Sequence, residues 1–351
     1  MKLREKLDIR ERHGLIGIEV EVEFAHGHEQ EDVLASGCKG WSLDRDGSLR
    51  GPSLEFVLRQ PCTIPKLNLY LNRLFECLDS KDIKNTGNCS VHVHINCQEM
   101  SSNELAKFIT LYVILEQYLL TLCAPTRKSN LFCLSFLDAE DQYIQFDKIC
   151  KGDPIISREG SKYAALNLSS LAAYGSLEFR ALQFPVTKEE MHSWITTLLK
   201  IRDYSLTFDT PSDILMRYSE VGLRDLVGIV LGTEESILIS EETVRLCRDS
   251  TYRLQSSVFQ PIIPFSNGYG NRDFGSGDLF EMVPDNLTTE IMQRILQGSA
   301  DIIRLDRLLN VFAEQGQSDE FKLRYRSLYI LHGTGGENIL NEVSRTFTTP
   351  S

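Results

Sequence analysis

The stretch Glu19-Val20-Glu21-Val22-Glu23 alternates carboxylates with valines, and two later stretches repeat the pattern with other ionisable side chains. Those two are Val91-His92-Val93-His94-Ile95 and Leu177-Glu178-Phe179-Arg180-Ala181. Successive side chains on a β-strand point to opposite faces, so each stretch predicts a strand with one apolar face and one ionisable face. If the three strands share a sheet, their polar faces form one surface suited to divalent metal and phosphate.

The electrostatics of the first stretch favour a functional role. Glu19, Glu21 and Glu23 would lie about 7 Å apart on one face, because a strand rises roughly 3.3 Å per residue. Neighbouring carboxylates at that distance repel by about 2 kcal/mol at an effective dielectric near 20, and by well under about 1 kcal/mol in open water. A solvated face tolerates this repulsion, whereas a cleft needs cations. An ordinary half-exposed strand therefore stays open as the alternative.

Length and charge narrow the class of protein. The chain has 351 residues, 42% of them hydrophobic and 25% charged, which suits one large globular domain or two ordinary ones. Its formal net charge of −12 argues against nucleic-acid binding, because duplex binding depends on Lys and Arg. Acidic patches attract cations instead, so the charge suits a metal-dependent enzyme without requiring one.

Cysteine usage predicts a cytoplasmic protein. The nine cysteines form no CxxC pair, and their odd number favours reduced, buried thiols over a disulfide framework or a zinc knuckle. The N-terminal stretch MKLREKLDIRERHG is charged throughout and does not resemble a secretory signal. No apolar stretch approaches the roughly 18 residues of a membrane span, so we expect no span.

Strands and helices are mixed up to about residue 205. The alternating pattern predicts strands at 14–24, 41–43, 54–58, 90–96, 163–168 and 176–183, the last two joined by a hairpin-like turn at Tyr174-Gly175. Helical spacing predicts a helix after Pro65, one from near Ser102 to Pro125, and one after the capping box of Thr187 with Glu190.

Beyond residue 210 the pattern is mostly helical. Candidate helices lie near 212–230, 240–253, 287–299, 301–315 and 320–330. We therefore predict an α+β catalytic domain over residues 1–207. A mostly helical region over 208–351 would serve as a lid, an interaction surface or an oligomer contact.

The acids and histidines of the alternating stretches are the candidate metal ligands. Glu19 and Glu21 lead, because carboxylate oxygens suit Mg²⁺ or Mn²⁺, and Glu23 follows on the same face as a ligand or a rim residue. Glu55 lies among apolar residues of a later strand and reads equally as an edge residue. His92 and His94 point to one face, where imidazoles complete a metal shell, contact phosphate or play a structural part.

Basic residues supply candidate sites for an anionic substrate. Glu178 and Arg180 read either as a plain sheet salt bridge or as a metal ligand beside a group that neutralises a phosphoryl anion. Further candidates for anion binding, each with a solvated surface role as the alternative, are Arg127, Lys162, Tyr163 and Asn167.

The chain has no GxxxxGK[ST], HExxH or GxSxG motif, which excludes a P-loop and two common hydrolase signatures.

The order of these motifs resembles the putative amidoligase family, carboxylate–amine ligases of the glutamine synthetase and glutamate–cysteine ligase type. The resemblance covers roughly residues 14–205 and rests on GIEVEVEF, DRDGS with Glu55 downstream, SVHVHIN, APTRKSN, KYAALNL and GSLEFRALQF. It implies a curved, mainly antiparallel catalytic sheet backed by helices, with ATP and Mg²⁺ or Mn²⁺ on its inner face. Ser90 departs from the family, which often has glycine there.

The resemblance also implies roles for individual residues. Glu19 and Glu21 match a pair that supplies ligands to different metals, while Glu55 and Glu178 match further ligands. His92 matches a histidine on the metal and phosphate side, with His94 beside it, and Arg180 matches the contact to the phosphoryl group. Residues matched only loosely to nucleotide or substrate binding are Arg127, Lys162, Tyr163 and Asn167.

These observations predict an ATP-dependent ligase that joins a carboxylate to an amine through an acyl phosphate. Glu23 or Asp46 is the candidate acceptor for the amine's proton, and the sequence does not choose between them. A metal-dependent phosphohydrolase or phosphodiesterase is the enzymatic alternative, although the two-histidine phosphodiesterases need two HxT or HxS motifs and this chain has a single HVH. A non-catalytic scaffold is the third interpretation, although it predicts damaged site residues.

The expected partners are a carboxylic acid and an amine, each either a small molecule or part of a polypeptide. The sequence leaves open whether the protein forms a homo-oligomer.

Overall fold

The computed structural model of the chain describes residues 2–45, 49–127, 133–152, 164–232, 239–255 and 258. Contacts divide the chain into two compact units, Met1–Ile263 and Pro264–Ser351, and every described residue belongs to the first. The predicted segments near 287–299, 301–315 and 320–330 lie outside the described residues, and the predicted boundary at 207 stays a prediction.

A single open sheet holds the strands of this unit in the order β2-β3-β1-β4-β6-β5, and every neighbouring pair is antiparallel. The strands are β1 (Ile16–Glu23), β2 (Trp41–Asp44), β3 (Ser53–Leu58), β4 (Ser90–Asn96), β5 (Leu166–Asn167) and β6 (Ser176–Gln183). The predicted mixed architecture with an antiparallel sheet is therefore confirmed.

The three alternating stretches are β1, β4 and β6, and they are adjacent in the sheet. Val20, Val93 and Phe179 represent the apolar face and are fully buried. The opposite face carries the ionisable side chains, as the alternation predicted. The registers of β1 with β4 and of β4 with β6 therefore decide which ionisable side chains meet on this face.

Helices flank the sheet, and α4 packs on its apolar face. They are α1 (Leu3–Leu7), α2 (Gly27–Ser36), α3 (Ile64–Leu78), α4 (Ser102–Leu119), α5 (Glu140–Cys150), α6 (Ser169–Tyr174), α7 (Lys188–Ser205), α8 (Pro211–Leu231) and α9 (Glu241–Leu254). The predicted capping box of α7 is present, with the Thr187 side chain accepting from Glu190 N and the Glu190 carboxylate accepting from Thr187 N.

Helix α4 lies at the centre of this unit. The rings of Phe108 and Tyr112 pack on Phe179 of β6, with centroids 5.7 and 4.9 Å apart. Helices α5, α8 and α9 also pack against α4, so 14 of its 18 residues are buried. The sequence pattern predicted one apolar face, but the structure buries the helix almost all round.

The segment Ser102–Leu122 is long and apolar enough to cross a membrane by length and composition. The expectation that no stretch approaches that length was therefore wrong. Most of the segment, 83%, is buried inside the protein, and a buried core helix meets the same two criteria.

The connection between β5 and β6 differs from the predicted hairpin-like turn. Helix α6 joins the two strands and ends at Gly175, whose φ of 68° is left-handed. Strand β5 is also shorter than predicted, since its two residues pair with Phe179 and Glu178 of β6. Asn167 Oδ1 accepts a hydrogen bond from Ser169 N at 2.9 Å, a local side-chain bond at the start of α6.

Candidate metal and phosphate site

The register of β1 and β4 places the Glu19 carboxylate between two imidazoles. Glu19 lies opposite His92 on β4, and Gly17 lies opposite His94. Glu19 Oε2 is 3.3 Å from His92 Nδ1, and Glu19 Oε1 is 3.3 Å from His94 Nε2. A Cβ at Gly17 would come within 3.2 Å of His94 Cβ, so glycine allows this close approach of the strands.

The Glu178 carboxylate on β6 is held by three neighbouring side chains. Its Oε2 accepts hydrogen bonds from Asn167 Nδ2 at 2.7 Å and Ser170 Oγ at 2.6 Å. Its Oε1 accepts from Arg180 Nη1 at 2.5 Å and lies 3.5 Å from His92 Nδ1. Helix α6 thus contributes to the site through Ser170.

Glu19, His94 and Glu178 converge on one point of the polar face. One ligand atom from each lies within 4.8 Å of the other two. His94 Nδ1 is 3.1 Å from Ser176 Oγ, whereas its buried Nε2 faces Glu19 Oε1 at 3.3 Å. Two carboxylates and an imidazole form a donor set that fits a divalent cation.

A second group of side chains lies further along the same face. The Ser90 hydroxyl donates a hydrogen bond to Glu21 Oε2, and its oxygen lies 2.8 Å from His92 Nε2. Glu21 faces Glu55 directly across the β1–β3 pair. The cluster around Glu19 does not include Glu21 or Glu55, so their predicted roles as metal ligands stay predictions.

Arg180 and Arg127 have different surroundings. Arg180 reaches Glu178, and its Nη1 lies 3.4 Å from His92 Nδ1, while its buried Nε has no hydrogen-bond partner in the ranges that the structure describes. Arg127 is only 2% exposed and donates from Nη2 to the Arg180 carbonyl at 2.5 Å. Its guanidinium therefore supports the main chain of β6, and a contact to nucleotide stays a prediction.

A bulge in β6 lies beside Arg180. Val93 pairs with Phe179 and Val91 pairs with Leu182, so β6 has one residue more than β4 between these pairs. Arg180 N donates instead to Ala165 O at 2.8 Å. Bulges increase local twist and re-aim side chains next to active sites.

The remaining predicted residues lie at the margin of the face or outside the described residues. Glu23 is buried, and its Oε1 accepts a hydrogen bond from Arg50 N at 2.9 Å. Asp46, Lys162 and Tyr163 lie outside the described residues.

Comparison with known families agrees with the motifs. Residues 62–202 match the family model described as putative amidoligase enzyme. The family resemblance predicted from the ordered motifs is therefore confirmed for this region. No curated protein matches the chain.

The amidoligase region contains β4, β5 and β6, and with them His92, His94, Asn167, Glu178 and Arg180. Strands β1, β2 and β3 precede it, although all three pair into the same sheet. Glu19 forms a cluster with His94 and Glu178 of the matched region, although Glu19 itself lies before that region in the sequence.

Opposite charges dominate the electrostatics of this site. Burial raises the pKa of Glu178, but the positive charges of His94, Arg180 and His92 outweigh it and lower that pKa to about 2. Burial also opposes ionisation of Glu19, yet hydrogen bonds from His92 and His94 hold its pKa well below the usual range. Burial lowers the pKa of His94, but Glu19 and Glu178 raise it above its ordinary value. Both acids are therefore ionised at neutral pH.

Three serines of the site were not predicted from the sequence. Ser90 and Ser176 lie two residues before His92 and Glu178, so strand alternation places them on the same face and could have found them. Ser170 lies on α6 and carries no such signal.

Proposed function

We propose that this protein is an ATP-dependent carboxylate–amine ligase that forms an amide bond through an acyl phosphate, on a glutamine-synthetase-like sheet. The observation that carries the proposal is the convergence of Glu19, His94 and Glu178, which lie on one sheet face and meet at ligand atoms within 4.8 Å. The match of residues 62–202 to an amidoligase model supports a ligase over other metal-dependent chemistry.

The donor set of the cluster supports a divalent cation. Glu19, Glu178 and His94 would hold Mg²⁺ or Mn²⁺, with Glu21 and Glu55 further along the face. When bound, such an ion supplies positive charge against the phosphate oxygens of ATP. Without it, the carboxylates of this face rely on Arg180 and the two histidines for compensation.

Arg180 is suited to the transferred phosphoryl group. Burial lowers its pKa, but Glu178, Glu21 and Glu19 raise that pKa, so the guanidinium stays charged throughout the cycle. One edge of the guanidinium is held by Glu178, while its Nε has no partner among the described residues and is free to donate to a phosphoryl oxygen. Asn167 and Ser170 fix Glu178 and thereby fix Arg180.

The reaction would proceed in two displacements. An oxygen of the substrate carboxylate attacks the γ-phosphorus of ATP, the bond from that phosphorus to the β–γ bridging oxygen breaks, and ADP leaves. The amine nitrogen then attacks the acyl carbon, inorganic phosphate leaves, and an amide remains. Glu23, or Asp46 as the alternative, would accept the proton lost by the amine. The protein's contribution would be positioning and charge neutralisation.

The full chain can be tested with ATP, Mg²⁺ or Mn²⁺, and pooled carboxylic acids and amines. The readouts are ADP release and new amide masses in the same sample. We expect ADP release that requires both an acid and an amine, with at least a roughly 100-fold loss in Glu19→Gln and Arg180→Lys. Arg217→Lys, an exposed arginine of α8 paired with Glu220, is the matched control and should retain full activity.

Other outcomes would replace the proposal. Phosphate release that needs neither an acid nor an amine would indicate a phosphohydrolase. Calorimetry that detects no binding of Mn²⁺ or ATP would indicate a scaffold. Full activity in both site variants would show that catalysis takes place elsewhere in the chain.

A further inference from the structure

Cys38 and Cys77 form a thiol pair where the segment before β2 meets α3. Cys38 lies between α2 and β2, and Cys77 lies in the last turn of α3. The two thiols share a hydrogen bond. Cys38 Sγ also contacts Arg73 O of α3 at 3.5 Å, and Cys77 Sγ contacts Gly37 O at 3.9 Å. Each sulfur thus lies against the backbone that carries the other.

The two thiols differ in exposure and in acidity. Cys38 is buried, at 6% exposure, while Cys77 is partly exposed. The hydrogen bond from Cys38 lowers the pKa of Cys77, burial opposes this, and the charge of Lys81 lowers it further. The same hydrogen bond and burial raise the pKa of Cys38. An accessible thiol of lowered pKa next to a second thiol is the arrangement of redox-sensitive cysteine pairs.

We propose that Cys38 and Cys77 are a site of reversible oxidation, at which a hydroperoxide converts the two thiols into an intramolecular disulfide. The Cys77 thiolate attacks one peroxide oxygen, the O–O bond breaks, and Cys77 becomes a sulfenic acid while hydrogen peroxide is reduced to water. The Cys38 sulfur then attacks the Cys77 sulfur, the S–O bond breaks, and a second water leaves. Two thiols and one hydrogen peroxide thus give one disulfide and two waters.

The disulfide would tie an edge of the sheet to a helix. Cys38 precedes β2, the edge strand whose Asp44 pairs with Glu55 of β3. Cys77 is fixed in α3, whose Tyr70 carbonyl accepts a hydrogen bond from Trp41 of β2 at 3.2 Å. Oxidation would therefore restrain β2 relative to α3, at the edge of the sheet next to the strand that carries Glu55.

The other cysteines provide internal controls in the same molecule. Cys150 is also partly exposed, but burial raises its pKa to about 12. Cys123 and Cys133 lie near each other, but both are buried, and burial raises the pKa of each. Cys77 is therefore the partly exposed cysteine whose pKa is lowered, whereas the pKa values of Cys150, Cys123 and Cys133 are raised.

The test treats the reduced full chain with hydrogen peroxide, blocks remaining thiols with iodoacetamide after denaturation, and maps peptides by mass spectrometry without reduction. We expect a peptide pair linked through Cys38 and Cys77, lighter by two hydrogens and released by dithiothreitol. Its formation should be at least about tenfold faster than oxidation of Cys150. The oxidised protein should melt roughly 5–10 °C above the reduced protein, since the link closes a long loop.

Variants separate the two steps. In Cys38→Ser, dimedone should trap a sulfenic acid on Cys77, whereas Cys77→Ser should leave Cys38 unoxidised and Cys150→Ser should leave the link unchanged. Oxidation of Cys150 before Cys77, or pairing of Cys77 with any cysteine other than Cys38, would overturn the proposal. The wild-type map decides this even if a variant folds poorly.

Discussion

Arg180 lies among three carboxylates on the polar face, those of Glu19, Glu21 and Glu178, and all three raise its pKa. Its side chain is 14% exposed and that of Glu178 is 7% exposed, so water screens this ion pair weakly. Removal of one partner of a buried pair leaves the other charge uncompensated, which destabilises a protein far more than loss of an exposed pair.

We therefore expect Arg180→Ala to lower the free energy of unfolding by about 2–4 kcal/mol, and Arg180→Lys by less than half of that. Urea unfolding with a chelator present measures this without a contribution from metal. Arg217→Ala removes an exposed pair with Glu220 and should change stability by less than about 0.5 kcal/mol. Equal stabilities of Arg180→Ala and wild type would mean that the carboxylates of this face do not depend on the guanidinium.

At the scale of elements, the pairing of β1 with β4 sets the distance between Glu19 and the two histidines. Gly17 is the position where the strands approach most closely, because a Cβ there would lie 3.2 Å from His94 Cβ. Its backbone is extended within β1, so the restriction comes from space alone.

Gly17→Ala should therefore push His94 away from Glu19, lower stability by about 1–2 kcal/mol, and weaken Mn²⁺ binding several-fold. Thermal melts and calorimetric titration with Mn²⁺ measure the two effects. Gly27→Ala at the start of α2 is the matched control, since its Cβ would meet only Pro52 Cγ at 4.0 Å. Unchanged Mn²⁺ binding in Gly17→Ala would show that His94 is not a ligand.

Helix α4 contains a buried carboxyl, Glu116, in its last turn. Glu116 Oε2 accepts a hydrogen bond from Phe136 N at 2.8 Å, but Oε1 has no partner among the described residues. Burial raises the pKa of Glu116 from 4.5 to about 8. The folded protein thus holds this proton more tightly than the unfolded chain does.

Stability should fall as the pH rises from 4.5 to about 8, because the unfolded chain has released the proton that the folded protein keeps. Glu116→Gln keeps the acceptor for Phe136 N and does not titrate. It should match wild type near pH 4.5 and exceed it by about 3 kcal/mol near pH 8, as measured by urea unfolding. Glu31→Gln, an exposed substitution on α2, controls for the loss of one charge. Parallel pH profiles of wild type and Glu116→Gln would contradict the raised pKa.

At the scale of the whole molecule, helices α8 and α9 belong to the same compact unit as the sheet. Both pack on α4, and Cys247 of α9 hydrogen-bonds to the main chain of α4 at Tyr118. The predicted boundary at residue 207 would separate these helices from the face of α4 that they cover.

A fragment of residues 1–263 should therefore fold and melt cooperatively, whereas residues 1–207 should aggregate or melt without a cooperative transition. Circular dichroism melts and size-exclusion chromatography distinguish the two. A cooperative, monomeric 1–207 fragment would instead support a domain boundary at residue 207.

Local pattern made much of the polar face predictable. Alternation placed Glu19, His92 and Glu178 on strand faces, because the period of two is a property of the backbone of each strand. The same alternation places Ser90 and Ser176 on that face, but a pattern of ionisable side chains does not mark their neutral hydroxyl groups. Helix caps such as Thr187 with Glu190 were also local and were predicted correctly.

The sequence by itself determined that three strands have polar faces and that the protein resembles amidoligases, since alternation and motif order can be read along the chain. Only the tertiary structure decided that Glu19, His94 and Glu178 meet at one point, that Ser170 supports them, and that α4 is buried almost all round. Those features depend on strand order, register and helix packing. They are contacts between residues distant in sequence, and no local periodicity specifies them.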